Sequence, residues 1–145
     1  MVEVTETGLM RDPLASIAAT EFLNARGVNV SIDDYGTGLS SSAYLRDLVA
    51  EELEIDRSFT ARLTADPRTR AIVAGTIAVA HELGLGFVAE GVEDWQTFEE
   101  LRRLGCDRSQ GFVHAGALPP DAFRARLREV IDPRVPPDDS SVEGV

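Results

Sequence analysis

The stretch at residues 31–38 restricts the fold and chemistry of this chain more than any other. An apolar strand ends there in two adjacent carboxylates, Asp33 and Asp34, and a Gly-Thr-Gly turn occupies residues 36–38. Successive residues of a regular strand point to opposite faces, so the two acids cannot both be solvated on one side. A divalent cation is the usual positive partner for such a pair. The stretch therefore predicts a cation site at a strand end, with a turn or helix cap as the structural alternative.

Composition restricts the class of protein. The 145 residues carry a formal net charge of -11 and a sequence pI near 4.5, which argues against a nucleic-acid-binding surface. No apolar run approaches the ~18 residues that a membrane span requires. The single cysteine, Cys106, excludes an internal disulfide and fits a reducing compartment. We expect a cytoplasmic protein with one folded domain over residues 1–131 and a disordered tail, rich in acids and proline, over residues 132–145.

Strand and helix patterns alternate along the chain. Strands are predicted at Met1–Thr5, Val28–Asp33, Glu52–Asp56, Gly86–Ala89 and Cys106–Gln110. Helices are predicted from Asp12 to Gly27, at Ser40–Leu48, from Asp66 to Leu83, from Asp94 to Leu104 and at Pro120–Val130, with Asp12, Asp66 and Asp94 as N-caps. Strands ~20 to 35 residues apart with a helix between them indicate right-handed βαβ units and a parallel sheet. The predicted fold is α/β, part of a (β/α)₈ TIM-like barrel, since a complete barrel needs about 250 residues.

Acidic and amide side chains recur where the predicted strands end. In a (β/α)₈ barrel, functional residues lie at this edge. Acids from several strands that converge on one rim suit a metal-dependent phosphodiester hydrolase, because two cations can clamp the attacking and leaving oxygens and lower the pKa of a bound water. The side chains concerned are Glu3, Glu6, Asp33, Asp34, Glu54, Asp56, Glu90, Glu93 and Gln110.

Five segments resemble the EAL-domain family, the cyclic di-GMP phosphodiesterases. They are Val2–Met10, Ser31–Gly38, Leu53–Phe59, Ala80–Glu93 and Leu104–Phe112. The resemblance extends from Val2 to about Leu127 and implies roughly the last four to five βα units of the EAL barrel. It also implies an activity, which is the hydrolysis of cyclic di-GMP to linear pGpG with Mg²⁺ or Mn²⁺.

The resemblance assigns roles residue by residue. The implied metal ligands are Glu3, Asp33, Asp34 and Glu90. Glu90 and Gln110 would act catalytically at the metal and its water, and Glu93 would lie near the substrate. Glu6 would hold the Asp34–Gly38 loop, with Gly36, Thr37 and Gly38, at the edge through which the family forms dimers.

Three departures from the family pattern predict weak hydrolysis by the isolated chain. The Glu-Ala-Leu segment and a following asparagine ligand would lie upstream of Met1. Glu54 stands at the position of the family's catalytic lysine, where another carboxylate opposes a developing hydroxide. Ala115–Ala117 replaces a Ser-Arg-Pro segment. A non-catalytic module that binds cyclic di-GMP or a protein partner is the alternative, and a gene remnant is a third. Glu54 itself is interpreted as a solvated strand-end acid rather than a ligand.

Two further expectations concern surfaces. A partial barrel has open parallel-sheet edges, and such edges pair with other chains unless something covers them. We therefore expect a homodimer or a partner protein over these edges. Trp95, in the first turn of a predicted helix, is expected to pack on a neighbouring element rather than to stack on a base.

Overall fold

The computed structural model describes residues 1–38 and 45–131. The described chain divides into a larger unit, Met1–His114, and a second unit that begins at Ala115. The predicted disordered tail and most of the predicted helix Ser40–Leu48 lie outside the described residues.

One parallel sheet organises the larger unit. Its five strands are β1 (Val2–Thr5), β2 (Val30–Tyr35), β3 (Glu52–Ile55), β4 (Gly86–Ala89) and β5 (Arg108–Ser109). They neighbour one another in sequence order, and every pair is parallel. Each crossover therefore returns the chain beside the strand it has just left, with no reversal of strand order. That order is the one found in barrels, and the predicted α/β partial-barrel fold is confirmed.

Helices connect the strands. The larger unit contains α1 (Glu6–Arg11), α2 (Pro13–Asn24), α3 (Arg57–Thr60), α4 (Pro67–Glu82) and α5 (Trp95–Leu104), and the second unit contains α6 (Pro120–Ile131). Asp12, Asp66 and Asp94 cap α2, α4 and α5 by accepting hydrogen bonds from first-turn backbone N–H groups, as the sequence predicts. None of the described helices is long and apolar enough to cross a membrane.

Several element boundaries differ from the prediction. Strand β2 begins and ends two residues later than expected, and β5 is only two residues long, whereas Cys106–Gln110 was predicted. Helices α1 and α3 were not predicted at all. Helix α1 follows β1 directly and is capped by Thr5, the last residue of that strand, and α3 follows β3 after one residue, Asp56, which caps it. Helices of four to six residues are too short to show a 3.6-residue hydrophobic period, so the pattern could not reveal them.

The sheet has one apolar and one polar face. Ile32, Leu53 and Phe87 are in register on β2, β3 and β4, and all three are fully buried in one cluster with side chains of α4 and α5. The alternate positions carry polar groups, with Glu3 in register with Ser31 and Ser31 in register with Glu52. The helices therefore cover the apolar face, and the polar face carries the acids that the sequence places at strand ends.

Candidate metal centre

A bulge at the end of β2 brings Asp33 and Asp34 to the same side of the sheet. Ile32 pairs with Leu53 and Tyr35 pairs with Ile55, so two residues of β2 stand opposite the single residue Glu54 of β3. Asp34 has a φ of 57°, and it alone among the described non-glycine residues has a positive φ. Aspartate tolerates this left-handed conformation better than most residues. The bulge thus resolves the conflict between strand alternation and two adjacent acids.

The loop after β2 is held by the buried carboxylate of Glu6. Glu6 is 4% exposed, and its Oε2 accepts hydrogen bonds from the backbone N–H groups of Gly36 at 2.9 Å and Gly38 at 3.1 Å. The Thr37 hydroxyl donates to the carbonyl of Asp34 at 2.9 Å. Gly36 has a φ of 93°, and a Cβ there would stand 2.9 Å from the Phe59 ring. These contacts fix the loop that carries Asp34 at its start.

Glu90 is positioned by the end of β4 and by α3. Its N–H donates to the carbonyl of Ile55 at 3.2 Å, and its carbonyl accepts from the Thr60 hydroxyl at 2.7 Å. The next residue, Gly91, has a φ of 61°, and a Cβ there would lie 2.6 Å from Cβ of Arg57. Only glycine fits this close approach without strain, so the turn after Glu90 is set by the packing of α3.

Three carboxylates converge as a result. Asp33, Asp34 and Glu90 each offer one oxygen, and these atoms all lie within 4.8 Å of one another. All three side chains are half-buried. Carboxylate oxygens are the ligands that hard divalent cations prefer, so the arrangement can hold such an ion.

The electrostatics of the cluster favour a positive partner. The pKa of Glu90 is raised from 4.5 to about 7, mainly by burial and further by the charges of Asp33, Glu54 and Asp34. The negative charge of Asp33 is also the main reason why the pKa of Asp34 is raised. Ionising the cluster is thus opposed by desolvation and by like charge, and a bound cation would relieve both.

Glu54 is not the solvated acid that the sequence predicts. It is 6% exposed on β3, which is flanked by β2 and β4. Its Oε1 accepts a hydrogen bond from the Ser31 hydroxyl, and its carboxyl group can also accept one from Glu90 when Glu90 is protonated. Burial raises the pKa of Glu54 despite the bond from Ser31. The burial of Glu54 comes from groups on the neighbouring strands, and alternation along one strand could not indicate that.

The other predicted site residues lie outside the triad. Glu3 is exposed on β1, in register with Ser31, and its charge acts on Glu54. Gln110 joins the ends of β4 and β5, because its N–H donates to the carbonyl of Ala89 at 2.8 Å and its carbonyl accepts from the N–H of Val92 at 2.9 Å. Glu93 is exposed in the segment between β4 and α5.

Two positioning residues were missed by sequence reasoning. Ser31 is in register with Glu3 on the neighbouring strand and precedes Asp33 by two residues. Because alternate residues of a strand share one face, this spacing could have placed Ser31 beside the acids. Thr60 touches Glu90 only because α3 folds back on the end of β4, and no local sequence signal indicates this.

Comparison with known proteins gives the family. The sequence matches the family model described as the EAL domain over residues 1–117. It is 46% identical over 127 residues to the bifunctional diguanylate cyclase/cyclic di-GMP phosphodiesterase MucR of Pseudomonas aeruginosa, covering 88% of this chain and 18% of that protein. This chain belongs to the EAL domain family.

Solved structures agree with this assignment. The PaMucR phosphodiesterase in complex with c-di-GMP matches with a TM-score of 0.79 and 47% identity, over 83% of this chain and 49% of that one. Klebsiella pneumoniae BlrP1 in a manganese and cyclic di-GMP complex matches with a TM-score of 0.72 and 29% identity, over 77% of this chain and 28% of that one. The chain thus spans about half of the solved MucR chain and less than a fifth of full-length MucR.

Because the pKa of Glu90 is raised in the folded protein, we expect the free energy of unfolding to depend on pH. Between pH 4.5 and about 7 the folded protein holds a proton on Glu90 that the unfolded chain has lost, so the free energy of unfolding should fall as pH rises through this window. Glu90→Gln should remove this dependence, and its thermal midpoint should exceed that of the wild type by more at about pH 8 than at about pH 5, both measured with a chelator present.

The matched control is Glu82→Gln, which neutralises an exposed acid at the end of α4. It should leave the slope of stability against pH unchanged. Equal slopes for the wild type and Glu90→Gln would show that Glu90 titrates like a solvated acid.

Proposed function

We propose that this chain binds cyclic di-GMP through a divalent cation held by Asp33, Asp34 and Glu90, and that it hydrolyses this ligand only weakly. The observation that carries the proposal is the convergence of the three carboxylates within 4.8 Å. Membership of the EAL domain family and similarity to a cyclic di-GMP phosphodiesterase support the choice of ligand.

Mg²⁺ or Mn²⁺ is the proposed ion, and either fits the donor set. All three donors are carboxylates, and hard oxygen donors of this kind suit these ions. When bound, such an ion polarises a phosphoryl oxygen and lowers the pKa of a coordinated water. The ion has a second role here, because the chain carries a net charge of -11 and the phosphates of the ligand are also negative. Attraction between ligand and protein therefore depends on the cation.

The remaining rim residues would orient the ligand and the water. Gln110 follows β5 directly and Glu93 precedes α5, so both stand at the edge of the sheet that carries the triad. An amide side chain at Gln110 can both donate to and accept from a water. Glu93 can accept hydrogen bonds from the N–H groups of a base. Glu6 acts on the site indirectly, through Gly36 and Gly38 of the loop that follows Asp34.

Glu54 is the reason to expect weak hydrolysis. The family resemblance calls for a lysine here, whose ammonium group would stabilise a developing hydroxide. Glu54 instead adds a fourth carboxyl group, in contact with Ser31 and Glu90. This observation favours a second candidate function, a module that binds cyclic di-GMP without turning it over.

The cation site is tested by calorimetric titration of the chelator-treated protein with Mn²⁺. Saturable binding is expected, and Asp33→Asn and Glu90→Gln should each weaken it by about tenfold or more, because each removes a charged ligand. Glu82→Gln, which removes an equal charge from α4, should bind as the wild type does. Failure of the folded wild type to bind Mn²⁺, or unchanged affinity in Asp33→Asn, would overturn the proposed site.

The effect of Glu54 is tested by Mn²⁺-dependent release of linear dinucleotide from cyclic di-GMP. Glu54→Lys should raise the rate by about 100-fold or more, since one well-placed electrostatic group is worth about 100- to 1,000-fold. Glu82→Lys makes the same change of charge on α4 and should have no effect. Should the buried lysine unfold the protein, Glu54→Gln removes only the negative charge and should give a smaller increase. A wild type at least as fast as both folded variants would refute the impairment.

A partner over the sheet edges is the last part of the proposal. β1 and β5 lie at the two ends of the strand order, and Val2 of β1 is exposed. Among the described strands these two outer edges have no partner strand, and such an edge can pair with another chain, so we propose a homodimer or a partner protein at this surface. Light scattering of the purified chain should give the mass of a dimer or larger species, and a monomer at all concentrations would exclude the homodimer.

A further inference from the structure

Three aromatic rings form a cluster at the start of α5. The Trp95 and Phe98 rings are stacked, with centroids 4.7 Å apart and planes inclined by 26°. The Phe98 ring in turn meets the imidazole of His114 edge-on, with centroids 5.4 Å apart. Trp95 is nevertheless 62% exposed. Because Phe98 lies on the same helix and most of the indole is exposed, the expected packing of Trp95 on a neighbouring element is not confirmed.

The rings of Phe98 and His114 support the indole of Trp95 on one side. Phe98 packs against the buried core, and the His114 imidazole lies 2.7 Å from the Ser109 hydroxyl in hydrogen-bonding contact. The Asp94 carboxylate accepts from the N–H and the hydroxyl of Thr97, which fixes the first turn of α5. A rigid aromatic side chain with an exposed face loses little conformational freedom when a flat ligand stacks on it.

The cluster lies at the same edge of the sheet as the triad. Helix α5 begins five residues after Glu90, and Glu93 lies between the two. The segments that follow β4 and β5 are joined, since Val92 donates its N–H to Gln110 at 2.9 Å and accepts from the N–H of Val113 at 3.0 Å. Both segments leave the carboxyl ends of their strands, which is the edge where barrels bind ligands.

We propose that the exposed face of Trp95 stacks on one guanine base of cyclic di-GMP. This inference rests on the proposed function, in which the cation at the triad holds a phosphate of the same molecule. An acidic protein has little electrostatic attraction for a nucleotide outside the metal site, and stacking on an aromatic ring supplies affinity without charge. The neighbouring Glu93 carboxylate can accept hydrogen bonds from the N1–H and the exocyclic amine of guanine. This pair of contacts would select guanine over adenine at the stacking position.

Trp95 is the only tryptophan of the chain, so its fluorescence reports on this position alone. The full chain is titrated with cyclic di-GMP in the presence of Ca²⁺ as the divalent cation, and binding is followed by calorimetry and by tryptophan emission. Stacking should quench the emission saturably, with the dissociation constant that calorimetry gives. Trp95→Ala should raise the calorimetric dissociation constant by about 10- to 100-fold, and Trp95→Phe, which keeps a stacking surface, by much less.

The matched control is Phe22→Ala, which removes an exposed aromatic ring from α2 and should leave the affinity unchanged. Calorimetric binding without quenching, or with equal affinity in Trp95→Ala, would overturn the stacking and leave the proposed function intact. Absence of calorimetric binding would overturn both. A Trp95→Ala variant that loses a dimer while keeping its ligand affinity would assign the indole to an interface between two copies, and would also overturn the inference.

Discussion

Repulsion among clustered carboxyl groups that are partly removed from water is the constraint around which this structure is organised. Parallel strands end at one edge of a sheet, and here β2, β3 and β4 bring Asp33, Asp34, Glu54 and Glu90 to that edge. Desolvation and like charge both oppose their ionisation. The fold keeps the groups together with backbone devices, which are the bulge at Asp34 and the hydrogen bond from Thr60 to Glu90. Carboxylates held this close together favour cation binding, because a cation offsets the repulsion between their negative charges.

Acids elsewhere in the chain have structural roles, and their surroundings decide which role each one has. Glu6 is as buried as Glu54, yet it accepts two backbone hydrogen bonds and stabilises a loop. Asp12, Asp66 and Asp94 cap helices. Glu54 has neither kind of role, because it faces a serine hydroxyl and a second carboxyl group. A carboxylate therefore caps a helix, as Asp94 does, holds a loop, as Glu6 does, or forms part of the candidate cation site, as Glu90 does, according to the hydrogen-bond donors around it.

The fold and much of the candidate site could be predicted because they depend on local patterns. Alternating strands and helices, helix caps and acids at strand ends all lie within a few residues of one another in the sequence. The bulge could not be predicted, since it depends on the register between β2 and β3. The burial of Glu54 was predicted wrongly for a related reason, because its environment comes from the strands on either side. The single-turn helix α3, which supplies Thr60, is too short to leave a periodic signal.

The sequence by itself determined which chemical groups arrive at the rim of the sheet. Their order along the chain and the parallel topology require Asp33, Asp34 and Glu90 to meet at one edge. Only the tertiary structure decided how they meet. A one-residue bulge turned both aspartates to one side, and Glu54 was enclosed beside Ser31 and Glu90. Spacing along a chain specifies the end of the strand where a side chain lies, whereas its direction, burial and charge state depend on neighbours that are distant in sequence.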